Sequence, residues 1–342
     1  MPCSLTRSGE YRSELFGSSY KDTVNLPVFK FALKECYKER SLNRESLVNR
    51  INEFCSKRKW SYGERTGSDY VKVAANLRLL SYDRKASEYQ LSPLGKAWIA
   101  LDDRIDPSLT DYDRMFFLRH ILYIDSHNCG MWLCLILSAI SDTSMEASRI
   151  YETYANNLSK LGLRLSGEAK IHKTRPVLQW GVRLGILSLG EGRKYQVTSA
   201  GHELVNFFCR LQDGGLKAFW EEASGYLVQC FIRLGLSKKR REVDKGIFED
   251  HVLRGYEKII KVFPTARAVE IPSLRSFCIV SMLKDGFPVN CSEFDFMLKE
   301  TCFQKYTIYE LLRSAERALS YPFQGIEGDK GSFYYFKVSR QC

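Results

Sequence analysis

The hydrophobic positions over residues 175–201 follow a helical spacing first and a strand spacing afterwards. Apolar side chains recur every three or four residues in the first half, which predicts a helix with one buried face. These positions are Val177, Trp180, Gly181, Leu184 and Leu187. Residues 186–188 and 194–197 flank a glycine-bounded turn and predict a β-hairpin, and Thr198 or Ser199 is a suitable N-cap for another helix. The segment therefore predicts a helix, a hairpin and a second helix in that order.

Residues 70–95 repeat this pattern earlier in the chain, with a single-residue gap in the turn. The matched pairs are Leu77 with Leu184, Leu80 with Leu187, Ser81 with Ser188, Tyr89-Gln90 with Tyr195-Gln196, and Gly95 with Gly201. Chance periodicity does not account for such a repeat, which indicates two copies of one structural unit.

The residues around the first repeat complete its unit. Helices are predicted over residues 26–41 and 43–54, with Asn43 as the N-cap of the second, and Ser68 is predicted to cap a third. A helical connector is predicted over residues 112–125.

The second repeat has a similar upstream region. Helices are predicted over residues 131–141 and 145–161. A loop is predicted over residues 162–173, and Thr174 is predicted to cap the helix that begins at Arg175.

The last hundred residues carry a weaker version of the theme. Helices are predicted over residues 273–284 and 292–302, with a third starting at Thr307 in the recognition-helix position, and strands over residues 323–326 and 333–338. The four consecutive aromatic residues at positions 333–336 predict a strand edge with exposed apolar surface.

The order of elements in the repeats resembles that of the winged-helix superfamily. This resemblance implies a mainly α protein with small β-hairpins (α+β), made of three tandem winged-helix domains joined by helical connectors. The predicted divisions are an irregular N-terminal arm (1–25), winged helix 1 (26–105), a helical connector and winged helix 2 (106–212), a helical linker (213–246) and a winged-helix-like C-terminal domain (247–342).

The net charge of +11 is concentrated in the two repeats. Residues 57–85 hold eight basic and three acidic residues, and residues 160–194 hold eight basic and two acidic ones, so these stretches contain the whole excess. Basic residues confined to one kind of element are typical of a phosphate-binding surface. Residues 306–337 hold four basic and four acidic residues and have little attraction for a phosphate backbone.

The candidate DNA contacts lie on the two recognition helices, in the loop before the second of them and at the hairpin tips. They are Arg65, Ser68, Lys72, Asn76, Arg84, Lys85, Lys170, Lys173, Thr174, Arg175, Gln179, Arg183, Arg193 and Lys194. Asn, Gln and Arg side chains match base edges in the major groove, whereas cations at a wing tip meet phosphate or the minor groove. The alternative is that these are ordinary exposed polar residues. The basic run 238–241 is either a solvated surface or another phosphate contact.

Other chemistry has weaker support in the sequence. His120, His127, Cys129 and Cys134 lie close together, but their spacing fits no usual zinc site, so no metal or cofactor is predicted. Cys129 has no evident base beside it, and the chain lacks the common nucleotide-binding and metalloprotease motifs, so no enzyme is predicted.

Cysteine usage and hydropathy bear on the compartment. The eleven cysteines are scattered without a Cys-x-x-Cys pair, which favours reduced thiols inside a cell. The start of the chain lacks a signal-peptide core, and the longest apolar run, residues 131–140, is too short for a bilayer. A cytoplasmic, or nucleoid-associated, protein without membrane contact is therefore predicted.

Two functions follow from the sequence. The first is a non-catalytic duplex DNA-binding protein, because tandem winged helices resemble plasmid replication initiators, bacterial transcription regulators and the recognition half of type IIS restriction enzymes. It would be the recognition or regulatory subunit of a DNA-processing, defence or transcription system. The second is a winged-helix adaptor between proteins of a larger DNA-associated machine. In both, the C-terminal domain is predicted to bind a protein partner or a second copy.

Overall fold

The computed structural model describes residues 23–60, 65–105, 109–124, 136–137, 139–140, 143–160, 167–210, 225–264, 268–302, 309–313, 325–328 and 331–338. Within these residues the chain is mainly helical, with small antiparallel sheets of three and four strands, which confirms the predicted α+β class. No helix in this part of the chain has the length and apolar character needed to cross a bilayer. The predicted arm lies outside the described residues except for residues 23–25.

The first unit, residues 26–101, carries the predicted helices and hairpin. Its elements are α1 (Leu26–Lys38), β1 (Leu42–Asn43), α2 (Arg44–Lys57), α3 (Thr66–Asn76), β2 (Leu80–Asp83), β3 (Glu88–Leu91) and α4 (Pro93–Leu101). The three strands form one antiparallel sheet in the order β1-β3-β2. Asn43 caps α2 as predicted, because its side chain accepts a hydrogen bond from the Ser46 amide at 2.9 Å.

The predicted N-cap of α3 is wrong. The helix begins at Thr66, so Ser68 lies within its first turn. A neighbouring helix supplies the cap instead, since the Gly67 amide donates to the Asn52 side chain of α2 at 2.9 Å. Gly67 permits this close approach, because a Cβ there would lie 2.6 Å from the Val48 carbonyl oxygen.

The predicted connector is helix α5 (Asp111–Ile124). Its start is a capping box: the Asp113 amide donates to the Thr110 hydroxyl at 3.2 Å, and the Thr110 amide donates to the Asp113 carboxylate at 3.1 Å. Residues 115–121 are buried without a break, which is typical of a helix packed on all sides.

The second unit, residues 143–210, has the same order of strands and helices. Its elements are β4 (Met145–Glu146), α6 (Ala147–Lys160), α7 (Gly167–Leu184), β5 (Leu187–Leu189), β6 (Lys194–Val197) and α8 (Ser199–Arg210), and its sheet order is β4-β6-β5. Most of the predicted helix over residues 131–141 lies outside the described residues, although residues 136–137 and 139–140 are helical.

The predicted start of α7 is wrong. The helix begins at Gly167, so residues 167–173 are helical and Pro176 lies inside it. Pro176 removes only one helical N–H, so the helix can continue upstream of it. Thr174 is completely buried, so it neither caps the helix nor reaches a ligand.

The junction between hairpin and following helix is the same in both units. Ser92 donates through its hydroxyl to the Arg78 carbonyl at 2.6 Å, and Thr198 donates to the Gly185 carbonyl at 2.8 Å. Each hydroxyl also caps its helix, at 3.1 Å from the amide of Gly95 or of Gly201. Equivalent side chains thus make equivalent bonds, which supports the repeat inferred from the sequence.

The third unit, residues 245–338, follows a linker that contains helix α9 (residues 225–233). Its elements are α10 (Lys245–Val262), β7 (Val269–Glu270), α11 (Ile271–Lys284), α12 (Cys291–Cys302), β8 (Tyr309–Arg313), β9 (Ile326–Gly328) and β10 (Gly331–Val338). The sheet order is β7-β10-β8, with β9 paired to β10. A two-residue strand again precedes the second helix and pairs with the last strand, so α12 holds the position of α3 and α7.

Two predictions for the third unit are wrong. Residues 309–313, expected in a helix starting at Thr307, form strand β8. The first helix of the unit is α10, so its third helix is α12 and the chain continues from there into strand β8. Strand β10 is not an exposed edge, since it pairs with strands on both sides. Phe333 and Phe336 are buried, and Tyr334 and Tyr335 are half-buried.

Helix α5 contacts all three units. Asp113 accepts a hydrogen bond from Lys30 of α1 at 2.5 Å, and Arg114 donates to the Leu184 carbonyl at the end of α7 at 3.3 Å. Arg119 donates to the Cys291 thiol of α12 at 3.5 Å. Helices α11 and α10 also pack on α4, so the units share one continuous core.

Candidate nucleic-acid interface

Helix α3 carries a basic face on the side away from its core. Tyr70, Val73 and Ala74 are buried, whereas Lys72 and Asn76 are exposed. Arg65 is exposed just before the helix and lies on the same side by helical spacing. Ser68, Lys72 and Asn76 of the predicted set therefore lie on or beside one face. The Ser68 hydroxyl accepts a hydrogen bond from Arg44 at 2.6 Å.

The first hairpin presents cations at its tip. Arg84 and Lys85 are exposed in the turn between β2 and β3. Asp83 shapes this turn, since its carboxylate accepts hydrogen bonds from the amides of Lys85 at 2.8 Å and Ala86 at 3.3 Å. Asp83 is thereby occupied by backbone groups, and the two cations make no ion pair within the described residues.

Helix α7 carries the corresponding face of the second unit. Arg175 is exposed and Gln179 is half-buried, one turn apart, while Val177 and Trp180 are buried. Arg175 also lies close to β6: burial raises the pKa of Tyr195, and the Arg175 charge partly opposes this rise. The side chains of Lys170 and Lys173 lie outside the described residues. Their backbone is helical, whereas a loop was predicted.

The second hairpin tip is a tight turn. Residues 191–193 form a 3-10 turn with left-handed backbone at Gly192 (φ 67°) and Arg193 (φ 57°). Arg193 and Lys194 are both exposed, as predicted for wing-tip cations. Like Arg84 and Lys85, they make no ion pair in the part of the chain that the structure describes.

Residues 23–25 join the two recognition-position helices, which the sequence did not indicate. The Asn25 amide donates to the Tyr70 hydroxyl of α3 at 2.8 Å, and the Trp180 indole of α7 donates to the Thr23 carbonyl at 2.8 Å. Arg183 donates to the Asn25 side chain at 2.7 Å. Phe29 then packs against both Tyr70 and Trp180, with ring centroids 5.1 and 6.3 Å apart. Helices α3 and α7 are therefore held against a common segment.

This junction alters the predicted role of Arg183. The side chain is exposed on α7 but bound to Asn25, so its guanidinium is only partly available to a ligand. A guanidinium has five N–H donors, and the remaining ones stay available for another acceptor. Local spacing carries no signal for this contact, because residue 25 is 158 positions away.

The third unit has a different surface at the equivalent helix. Helix α12 exposes Glu293, Phe296 and Glu300 and carries Lys299 half-buried. Phe296 is 65% exposed, more than any other large hydrophobic side chain in the described residues. The acidic and aromatic character of α12 contrasts with the basic faces of α3 and α7.

The weaker chemical candidates gain no support from the geometry. His120 is buried, its Nε2 lies 2.7 Å from the Leu77 carbonyl oxygen, and burial lowers its pKa to about 3. Among the described residues no group of His, Cys, Asp and Glu could hold a metal ion, and His127, Cys129 and Cys134 lie outside them. Burial raises the pKa of Cys36 to about 12 and that of Cys55 to about 11, so neither thiol is suited to be a nucleophile.

The four basic residues at positions 238–241 differ in their contacts. Lys238 forms an ion pair with Asp285 at 2.6 Å, whereas Lys239, Arg240 and Arg241 are exposed.

Comparisons with family models, with curated proteins and with solved structures find no match for this chain.

Proposed function

We propose that this chain is a non-catalytic duplex DNA-binding protein that uses two basic winged helices. The observation that carries the proposal is the repeated set of exposed cations, on α3 with the first hairpin tip and on α7 with the second. They lack internal carboxylate partners in the described residues, and unpaired cations on a rigid scaffold are suited to phosphates.

The strand order supports the winged-helix interpretation. In each unit a two-residue strand directly precedes a helix and pairs with the last strand of the unit, and the next helix comes before the other strands. In a winged helix the helix before the hairpin enters the major groove and the hairpin contacts the backbone. Helices α3 and α7 are therefore assigned as recognition helices.

The side chains divide into two roles. Arg84, Lys85, Arg193 and Lys194 at the hairpin tips bind phosphate. Asn76 and Gln179 are the candidates for reading bases, because their amides can pair with the adenine edge. Lys72 and Arg175 neutralise phosphate or contact guanine. Thr174 is withdrawn from the set because it is buried, whereas Ser68 keeps its O–H donor for a phosphate because its bond from Arg44 uses only an acceptor site.

We assign Arg183 as a positioning residue. Its bond to Asn25 links α7 to the segment that also holds Tyr70 of α3. Two recognition helices held this way would read one stretch of DNA at a fixed spacing. Asn25→Ala and Arg183→Ala should then weaken binding by the same factor, and the double variant by no more than either alone. Additive losses would instead mean that Arg183 contacts the DNA directly.

The salt dependence of DNA affinity tests the proposal. A fluorescent duplex of about three helical turns is titrated at about 50 and 200 mM salt. If six to ten phosphates are bound, affinity should fall about 10³- to 10⁵-fold between these concentrations. Arg84→Ala/Lys85→Ala and Arg193→Ala/Lys194→Ala should each lower the log–log slope by about 1.8.

The matched control removes two exposed cations from α10 of the third unit, as Lys258→Ala/Lys261→Ala. This variant has the same net charge as each hairpin variant and should leave the slope unchanged. Equal effects of all three double variants would indicate only a nonspecific charge effect. No binding at about 50 mM salt would refute DNA binding.

The alternative is a protein–protein adaptor in a larger DNA-associated machine. It is favoured by the third unit, whose acidic α12 exposes Phe296 where a DNA-binding unit would carry cations. An adaptor of this kind does not require salt-dependent DNA affinity of the isolated chain. The titration above therefore separates the two functions.

A further inference from the structure

An open groove beside α12 has no role in the proposed function. It encloses about 710 Å³, within the range of about 300–1,000 Å³ that ligand sites occupy. Its lining includes Arg240, Arg241 and Glu242 from the linker, Val289 from the loop before α12, and Glu293, Phe296 and Met297 from α12 itself. An apolar floor thus lies next to two guanidinium groups and two carboxylates.

Backbone hydrogen bonds fix the wall that carries the arginines. The Arg241 amide donates to the Gly286 carbonyl at 2.9 Å, and the Lys238 amide donates to the Lys284 carbonyl at 3.0 Å. Gly286 has φ 92°, and a Cβ there would lie 2.4 Å from the Lys239 carbonyl oxygen, so the linker is packed tightly against the end of α11. The groove is therefore formed before any partner arrives.

The opposite wall is fixed by a capping box. The Glu293 amide donates to the Asn290 side chain at 2.7 Å, and the Asn290 amide donates to the Glu293 carboxylate at 2.9 Å. The Glu293 carboxylate is thereby partly neutralised by a backbone group at the helix start. Phe296 and Met297 follow one turn later and face the groove.

Two guanidinium groups and one aromatic ring of the groove are exposed to solvent. Arg240 and Arg241 are exposed and make no ion pair within the described residues, whereas the neighbouring Lys238 is paired with Asp285. Phe296 is 65% exposed. Aromatic, methionine and arginine side chains clustered in a pocket are typical of the central residues of protein interfaces.

We propose that this groove binds an acidic peptide segment of a partner protein. An apolar side chain of the peptide packs on Phe296 and Met297, and its carboxylates pair with Arg240 and Arg241. A nucleic-acid strand is disfavoured, because Glu242 and Glu293 in the lining and the exposed Glu300 would repel successive phosphates. A peptide can place one or two carboxylates directly against the guanidinium groups of Arg240 and Arg241 and an apolar side chain elsewhere in the groove.

The test uses synthetic peptides with one central Phe or Leu flanked by glutamates, labelled with fluorescein and titrated at about 150 mM salt. Peptides with lysines in place of the glutamates and single-stranded oligo(dT) are titrated alongside. Arg241→Glu and Phe296→Ala should each weaken binding of the acidic peptide about tenfold or more. The matched control Lys239→Glu changes the adjacent exposed cation, whose side chain does not line the groove, and should leave the affinity unchanged.

Several outcomes would overturn the proposal. These are no acidic-peptide binding at about 1 mM, equal binding of the lysine peptides, or oligo(dT) binding that the arginine variant abolishes. A dimer in light scattering that Phe296→Ala dissociates would make the occupant a second copy instead. All groove variants should keep wild-type duplex DNA affinity, so failure here is distinguishable from failure of the DNA-binding proposal.

Discussion

His120 should make the protein less stable as the pH falls below about 6.5, the usual pKa of histidine. The side chain lies on α5, donates to the Leu77 carbonyl and stacks on Phe116 with ring centroids 5.2 Å apart. Burial is the largest cause of its low pKa of about 3; the bond to Leu77 opposes this shift, and the charge of Arg119 adds to it. A charged imidazole is therefore strongly disfavoured in the folded state.

The sign and size follow from proton linkage. Above pH 6.5 both the folded and unfolded states hold a neutral His120, and the full stability is present. Below it only the unfolded state binds the proton, so the free energy of unfolding falls by about 1.4 kcal/mol per pH unit, down to the folded pKa of about 3. At pH 5 the loss from this one side chain is about 2 kcal/mol.

Chemical denaturation of the wild type and of His120→Gln at pH 7 and pH 5 measures the contribution of His120 to the pH dependence of the free energy of unfolding. Glutamine can donate to the Leu77 carbonyl but does not titrate, so the loss between the two pH values should be about 2 kcal/mol smaller in the variant. Burial also lowers the pKa of His251, but that residue is present in both proteins and cancels in the comparison. The same pH dependence in both proteins would refute the reasoning.

Three further predictions concern stability and reactivity. Lys30→Ala should lower the free energy of unfolding by about 3–5 kcal/mol, because it leaves the buried Asp113 carboxylate without its cation. Lys34→Ala removes a half-buried cation whose partner is the Asp103 backbone carbonyl, leaves no buried charge behind and should cost less than about 1 kcal/mol. Equal costs in denaturant titrations would contradict this. Gly95→Ala should lower the free energy of unfolding by about 1–3 kcal/mol, because the added Cβ would lie 2.4 Å from the Leu79 carbonyl oxygen. An unchanged melting temperature would contradict this and show that the junction can relax. The six cysteines described as buried should react with a thiol reagent only on unfolding, because a reagent cannot reach a buried sulfur atom in the folded protein. Fast reaction of more than the other five of the eleven in native buffer would contradict this.

Local patterns predicted much of the first two units. Asn43 and Thr198 act as caps where the sequence indicated them, and both hairpins pair as expected. These features depend on neighbouring residues, so spacing and residue type were enough. The start of α7 was missed because Pro176 suggested a first turn, whereas burial of Thr174 decides that the helix continues upstream.

Contacts between distant residues could not be predicted from the pattern. The bond from Arg183 to Asn25 joins residues 158 positions apart, and the cap that Asn52 gives to Gly67 comes from another helix. In the third unit the helices predicted over residues 273–284 and 292–302 and the strand over residues 333–338 are present. Because α10 was overlooked, a further helix was predicted from Thr307, whereas residues 309–313 form a strand. For the candidate site, exposed cations were predictable by type, but their availability depends on which partners the fold brings near.

The position of α5 affects how the protein unfolds in solution. Because this helix contacts all three units, none of them can detach without exposing its buried residues 115–121. Backbone amide exchange in α5 should therefore require the largest opening of the molecule and be the slowest in the chain. Helix α11 of the third unit also packs on α4 of the first. Deleting the residues after 237 would expose that face of α4, so the third unit cannot be removed without disturbing the first. A protein built from repeats in this way would unfold as one cooperative body, unlike a string of independently melting domains.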